Sequence, residues 1–310
     1  MNLAWYYTLL YPFRGVLKRY PKIILQLRYY KKFHRFMDLK HPKNIDEKIY
    51  WISLNTDTTL WSTLADKYAV RDYVKERCGE GVLNKLLGVW DNPDEIDFEK
   101  LPQSFVIKTN NGCATNIIVK DKSKLNIAET RQKLRAWLNY PYGIMVGEPH
   151  YLRIVPKIIA EELLVQDGDR SKSLVDYKFF CIDGRPTFCN IIGDRKPNSH
   201  EYKENLYDAE WNACPQYFVN DDILKDFAKP ACYDELIKNV RELAKGFKVV
   251  RVDFYVIDNK PIFGELTFTP GPDEYFNDEY ESMMGNLITL PSDLLNDKIA
   301  SSNSTKKDYK

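Results

Sequence analysis

Between residues 249 and 271 the chain constrains its own folding more tightly than anywhere else. Val250, Val252, Phe254 and Val256 alternate with Arg251, Asp253 and Tyr255. Successive side chains of a strand point to opposite faces, so Arg251, Asp253 and Tyr255 share one face and the apolar set takes the other. A second strand over 261–267 puts Phe263, Glu265 and Thr267 on one face. Asp258-Asn259-Lys260 reads as a three-residue turn, with Asn tolerating the left-handed conformation. That turn pairs Ile257 with Pro261, and counting back sets Asp253 opposite Glu265 and Arg251 opposite Thr267. Directly opposed carboxylates have Cβ atoms about 5 Å apart and repel. A divalent cation between them would explain the arrangement, as would protonation of one carboxyl. The alternatives are splaying into water or pairing with Arg251. A two-residue turn would instead put the acids on opposite faces.

Two further hairpins carry polar groups on apolar strands. Residues 105–108 form a short apolar strand ending in Lys108, and a small polar loop follows: Asn110, Asn111, Gly112, Cys113, Ala114 and Thr115. Backbone N–H groups of such a loop can close over phosphates while the lysine supplies a point charge. An ordinary hairpin with a basic end is the alternative. Asp176 and Lys178 share a face by the same alternation, and Asp183-Gly184 signals a hairpin turn. Upstream, Glu161-Glu162-Leu163-Leu164 sets acids before apolar residues. Such a connection can hold a purine by its edge, or it is a solvated acidic turn.

Along the chain, periodicity predicts a helical stretch over 44–79, a strand over 82–90, a strand pair over 104–120 and a helix over 127–140. A loop over 140–147, a β region over 158–192 and a long polar connection follow, then a helix over 232–246 and the 248–267 hairpin. The irregular alternation predicts an α+β or mixed α/β architecture in lobes. With 310 residues, 44% of them hydrophobic, a folded core is expected rather than disorder. Lys+Arg 45 against Asp+Glu 44 disfavours a nucleic-acid binder driven by overall charge. None of the six cysteines forms a C-x-x-C pair and the four histidines show no metal spacing, which argues against structural zinc and for reduced thiols in the cytoplasm. P-loop, dinucleotide, zinc-protease and nucleophile-elbow motifs are missing. Residues 1–14 do not read as a signal peptide, and residues 1–37 mix aromatics with bases. They suit an interfacial helix on an anionic membrane, or a helical pair packed on the body.

The order of these pieces resembles the ATP-grasp superfamily of carboxylate–amine ligases. Over residues 40–285 it is similar to the TupA-like group, named for teichuronopeptide biosynthesis. The resemblance is carried by Asn44-Ile-Asp-Glu-Lys48-Ile-Tyr-Trp51, Leu64-Ala-Asp-Lys-Tyr-Ala-Val-Arg-Asp-Tyr-Val74, Leu101-Pro-Gln-Ser-Phe-Val-Ile-Lys108, residues 151–164 and Glu265-Leu-Thr-Phe-Thr-Pro-Gly271. It implies an ATP-grasp fold, with nucleotide held between two α+β lobes and an N-terminal helical extension. By that resemblance Lys67 and Lys108 contact the ATP phosphates and residues 110–116 form the phosphate loop. Glu161, Glu162, Leu163 and Leu164 contact adenine, Asp176 the ribose, and Lys178 the phosphates. Asp253 and Glu265 hold Mg²⁺, with Mn²⁺ as the alternative, and Arg251 steadies the transferred phosphoryl group. Thr267 stands where many ATP-grasp enzymes have Asn as a further metal ligand.

The implied division is 1–40 for the extension, 41–100 for a helical and linker part, 101–164 for the phosphate-loop lobe, 165–290 for the metal lobe and 291–310 for a tail. The implied reaction joins an amine or amino acid to a uronic-acid carboxylate in cell-surface polysaccharide biosynthesis. Its partners would be that carboxylate, the amine and the inner membrane face, with no nucleic acid. His150, Arg153, Arg195 and Lys196 are candidates for an anionic sugar. Two rival readings remain. A nucleotide-sugar glycosyltransferase would use Asp167-Gly168-Asp169 as its metal motif, and a scaffold would bind nucleotide without turnover.

Overall fold

Two antiparallel sheets organise the chain. The computed structural model describes residues 9–166, 171, 173–196, 201–271 and 276–291. Five helices come first: α1 (Arg14–Arg19), α2 (Pro21–Phe33), α3 (Ile45–Asn55), α4 (Thr59–Ala65) and α5 (Val70–Cys78). Helix α3 starts at a capping box, Asn44 accepting from the Glu47 N–H while Glu47 reaches back to the Asn44 N–H. The helical stretch expected over 44–79 is broken twice, because short side chains satisfy the backbone locally. Asp57 accepts from the Thr59 N–H (2.8 Å), and Asp66 accepts from the N–H of Tyr68 (2.8 Å) and Ala69 (3.2 Å). Lys67 therefore sits in a turn between α4 and α5 rather than on a helix.

The first sheet has the order β1-β4-β2-β3, from β1 (Leu86–Trp90), β2 (Phe105–Thr109), β3 (Asn116–Val119) and β4 (Ile158–Glu162). Phe105 and Ile107 face inward and pack with Ile158, Ala160 and Leu134 of α6 (Ile127–Leu138) in a small separate core. Val106 and Lys108 alternate to the other face. Strand β1 lies in the 41–100 part along the sequence but belongs to this lobe in space. The segment expected as a loop over 140–147 contains α7 (Tyr142–Val146), closed by Gly147 in the left-handed conformation (φ 73°).

The second sheet has the order β7-β6-β5-β8-β9, from β5 (Asp176–Ile182), β6 (Arg185–Gly193), β7 (Lys203–Asp208), β8 (Val249–Ile257) and β9 (Lys260–Thr267). Strand β7 falls in the expected polar connection. Its buried Glu204 and Asn205 break apolar alternation, and the Asn190 amide donates to Glu204 (3.0 Å) across β6–β7. Helix α8 (Tyr233–Ala244) buries Leu236, Val240 and Leu243 in a much larger core with Val250, Val252 and Phe254. That core also takes in α3, α4, α5 and α9 (Asp278–Leu287). Asp167, Gly168 and Asp169, residues 1–8 and most of the 291–310 tail lie outside the described residues.

Candidate active site

The carboxylate pair of the long hairpin is assembled by two irregularities that cancel. The turn has two residues, not three: Asp258 (φ 48°) and Asn259 (φ 57°) are both left-handed and Ile257 pairs with Lys260. Alone, that turn would send Glu265 to the opposite face from Asp253. A bulge at Gly264 inserts one extra residue on β9, and from there Asp253 faces Glu265 and Arg251 faces Thr267. A Cβ on residue 264 would stand 3.0 Å from the Asp253 carbonyl oxygen, a tight contact that glycine avoids.

On β5, Lys178 is the cross-strand partner of Asp253. Three strands thus present Lys178, Asp253 and Glu265 in one row, with Arg251 and Thr267 in the next. Among the alternatives for the facing acids, the chain's own answer is cationic. Arg251 donates to both Asp253 oxygens (2.7 Å each), to Glu265 Oε1 (3.1 Å) and to Thr267 Oγ1 (3.1 Å). Lys178 Nζ donates to Asp253 Oδ2 (2.8 Å). Burial pushes the Asp253 carboxyl up, but Arg251 and Lys178 outweigh it and hold it below the usual carboxylate range. Burial likewise opposes the charge on Arg251, yet Asp253 and Glu265 keep the guanidinium more firmly protonated than usual.

Across a cleft of about 1530 Å³ stands the other wall. Glu161 Oε2 accepts from Lys108 Nζ (2.6 Å) and Oε1 from Arg71 Nη1 (3.0 Å). Arg71 was not among the expected site residues. It comes from the first turn of α5, and no local pattern marks it. Lys67 Nζ donates to the Gly112 carbonyl (2.5 Å), tying the turn after α4 to the loop. Cys113 is exposed to the cleft; the protein crowding around it partly desolvates the thiol and pushes it up, Glu265 adds to this, and Lys67 and Arg251 pull the other way. The loop tip therefore lies within electrostatic reach of the opposite wall.

The loop residues differ in what they present. Asn110 is buried, its amide donating to Asp66 (2.9 Å) and the Val155 carbonyl (3.0 Å), its N–H to the Lys157 carbonyl (3.0 Å). It anchors the loop and offers the cleft neither group. Asn111 is buried too, whereas Cys113 and Ala114 are exposed; Thr115 bonds Thr109 Oγ1 (2.9 Å). Glu162, Leu163 and Leu164 line the cleft beyond Glu161.

Asp176 stands farther along the large sheet, accepting from Arg195 Nη2 (2.8 Å), with Lys178 Nζ 3.9 Å away. Of the sugar candidates, Arg195 and Lys196 line the cleft, Lys196 paired with Glu201. Arg153 donates to Thr58 Oγ1 (3.2 Å). His150 belongs to the core: 1% exposed, it packs against Trp61 (5.7 Å) and Tyr151 (4.6 Å), and burial, with Arg153 adding, drops its pKa to about 3.

Asp253, Glu265 and Thr267 offer hard oxygen donors of the kind Mg²⁺ prefers. Among the described residues no cluster of three or more His, Cys, Asp or Glu could hold a metal unaided. The donor set therefore fits an ion completed by phosphate oxygens and water, the usual arrangement for Mg²⁺ at a nucleotide.

Comparison with known proteins supplies the family. No curated protein matches. Among solved structures, an L-amino acid ligase from Bacillus licheniformis is similar at 15% identity and TM-score 0.45 over 71% of this chain; the chain spans 47% of that ligase's length. A D-alanine–D-alanine ligase from Bacillus anthracis complexed with ATP is similar at 14% identity and TM-score 0.43, covering 86% of this chain and 75% of that one. The assignment itself comes from the sequence: residues 47–289, most of the chain and both walls of the cleft, match one family throughout, and the chain belongs to the TupA-like ATP-grasp family.

Proposed function

We propose that the chain is an ADP-forming carboxylate–amine ligase that joins an amine or amino acid to a uronic-acid carboxylate during cell-surface polysaccharide biosynthesis. The observation that carries the reading is a cleft with cations on both walls and a pair of facing carboxylates on one of them. Lys67, Arg71 and Lys108 stand on one side, and the Lys178–Asp253–Glu265 row with Arg251 on the other. Free walls this charged balance themselves through ion pairs, and a triphosphate supplies new partners for Lys108 and Lys178.

In this reading ATP lies between the lobe of 101–164 and that of 165–290, with the Lys67 turn contributed from 41–100. Adenine sits along Glu161, Glu162, Leu163 and Leu164, ribose at Asp176. Backbone groups of Gly112, Cys113, Ala114 and Thr115 face the phosphates, with Asn110 and Asn111 shaping the loop. Asp253, Glu265 and Thr267 would hold Mg²⁺ or Mn²⁺, which supplies charge neutralisation at the phosphates. Lys108, Lys178 and Arg251 stabilise the γ-phosphoryl group as a substrate carboxylate oxygen attacks it and ADP departs. The resulting acyl phosphate is attacked by the neutral amine. Phosphate leaves, the amine gives up a proton to solvent, and an amide remains. Closure of the loop excludes water from the acyl phosphate. Six free thiols, four of them buried, suit a reducing cytoplasm, where ATP is supplied.

The test is thermal unfolding with Mg-ATP, with a UDP-sugar and with neither, on wild type and Lys108→Ala. A ligand at about 100 times its Kd adds roughly 2.7 kcal/mol, a rise of several degrees for a chain of this size. The expected result is a shift with Mg-ATP that Lys108→Ala abolishes, followed by ADP release when uronic acids and amines are supplied together. A shift with UDP-sugar alone, untouched by Lys108→Ala, overturns the reading in favour of a glycosyltransferase.

A further inference from the structure

The first 37 residues contain eight Lys or Arg and no Asp or Glu, in a chain whose net charge is only +1. The remaining residues are therefore acidic on balance, and basic charge is concentrated at one end. The same segment is apolar on the side of α2 that faces away from the body. Its inner side buries Ile24, Leu25 and Tyr29 completely. Its outer side carries Ile23, Leu27 and Tyr30, spaced as one helical stripe and 43%, 40% and 45% exposed. Phe36 is 64% exposed and extends the stripe, its ring 5.1 Å from that of Tyr30. Phe13, Val16 and Tyr20, in and beside α1, are all more than half exposed as well. Exposed bases at Lys18, Arg19, Lys22 and Lys31 accompany these apolar residues. So many exposed apolar side chains on two consecutive helices mark a docking site.

We infer that α1 and α2 lie flat on an anionic bilayer and hold the cleft at its surface. Charge selects this occupant: an acid-free basic segment attracts anionic headgroups, while tyrosine and phenylalanine suit the boundary between headgroup and acyl chain. The helices lie on the membrane rather than crossing it, since no described helix is long and apolar enough to cross. The inner side of α2 couples this platform to the cleft. Arg28 Nη1 donates to the Val146 carbonyl (2.7 Å) and to Glu148 Oε1 (2.9 Å). Tyr142, in the same short helix as Val146, packs on Gly112 of the phosphate loop. Resting on the ligase reading for the reaction itself, this makes the carboxylate acceptor a lipid-linked glycan rather than a free nucleotide sugar.

Sedimentation of the full-length protein with vesicles tests the docking without any assay of catalysis. The vesicles are phosphatidylcholine alone, or phosphatidylcholine with about one-third phosphatidylglycerol. Wild type is expected to bind the anionic vesicles, to release from them in high salt and to leave the neutral ones largely unbound. Reversing Lys18, Arg19 and Lys22 to Glu should weaken binding by more than about a hundredfold. Leu27→Asp, at an exposed position, should abolish it while leaving the Tm and the Mg-ATP shift unchanged. Equal binding to both vesicles, or none to either, overturns the proposal, as does a solution dimer that Leu27→Asp dissociates. Loss of the Mg-ATP shift with vesicle binding intact would count against the ligase reading alone.

Discussion

The two walls of the cleft differ in charge and in support: one gathers cations around Glu161, and on the other Lys178 and Arg251 balance the two carboxylates. Asp253 sits in β8, hydrogen-bonded to strands on both sides, above the larger of the two cores. Lys108 sits in β2, likewise bonded on both sides, by β4 and β3, but above a small core, and the loop beside it joins β2 to the edge strand β3. A group held within a sheet over a large core positions charge with little freedom. A loop at an edge can open and close. In the proposed function the carboxylate wall holds an ion in place, and the loop over 110–115 admits and releases a nucleotide.

This contrast is sharpest in the unequal cost of breaking each wall's ion pair. Asp253→Ala leaves two buried cations with only Glu265 at 3.1 Å from Arg251 and Asp176 at 3.9 Å from Lys178, and should cost about 3 kcal/mol. Lys108→Ala removes a partner of Glu161 that Arg71 still neutralises, and should cost no more than about 1 kcal/mol. Both should abolish the Mg-ATP shift. Urea unfolding measures the first difference and calorimetry the second. Equal destabilisation by the two substitutions would show that the walls are equally rigid.

The bulge offers a finer break. Gly264→Ala forces a Cβ against the Asp253 carbonyl and should destabilise by about 2 kcal/mol. The strain falls on the register itself, so loss of ATP binding should accompany it. Insensitivity of both stability and nucleotide binding would mean that Glu265 keeps its place without the bulge.

The same hairpin shows how far the sequence could be read. Alternation placed Arg251, Asp253 and Tyr255 on one face, because period two is a local property of an extended chain. The pairing of Asp253 with Glu265 came from assuming a three-residue turn, whereas the chain uses a two-residue turn and a bulge that together give the same offset. Strand β7 escaped notice because Glu204 and Asn205 are buried polar groups satisfied only across strands. Arg71 escaped because its partner Glu161 is distant in sequence, and although Arg195 was a sugar candidate, its pairing with Asp176 was not legible for the same reason. Local periodicity exposes a strand's faces; convergence of separate elements does not show in it.

Beside the cleft, His150 gives the core its own pH dependence. Burial lowers its folded-state pKa to about 3 from an ordinary 6.5, so the unfolded chain takes up this proton first. Its contribution to stability is complete above pH 6.5 and lost as the pH falls toward 3, by up to about 1.4 kcal/mol per pH unit. His150→Phe should flatten that slope over the same range in urea titrations at several pH values. An unchanged slope would assign the loss to other groups.

The smallest effect is expected at Thr267, the third oxygen donor of the proposed metal site, where the family resemblance leads one to expect Asn. Its hydroxyl accepts from Arg251 (3.1 Å), so in the free protein it helps hold the guanidinium between the two carboxylates. An Asn side chain is longer, presents a carbonyl oxygen that competes better for a hard cation, and can keep the contact to Arg251. Thr267→Asn should leave unfolding free energy within about 0.5 kcal/mol, and should lower the Mg²⁺ concentration needed for the ATP-dependent Tm shift a few-fold. If the Mg²⁺ requirement stays where it is, residue 267 steadies Arg251 and contributes nothing to the ion. The metal wall then reduces to Asp253 and Glu265, with its remaining ligands supplied by nucleotide and water.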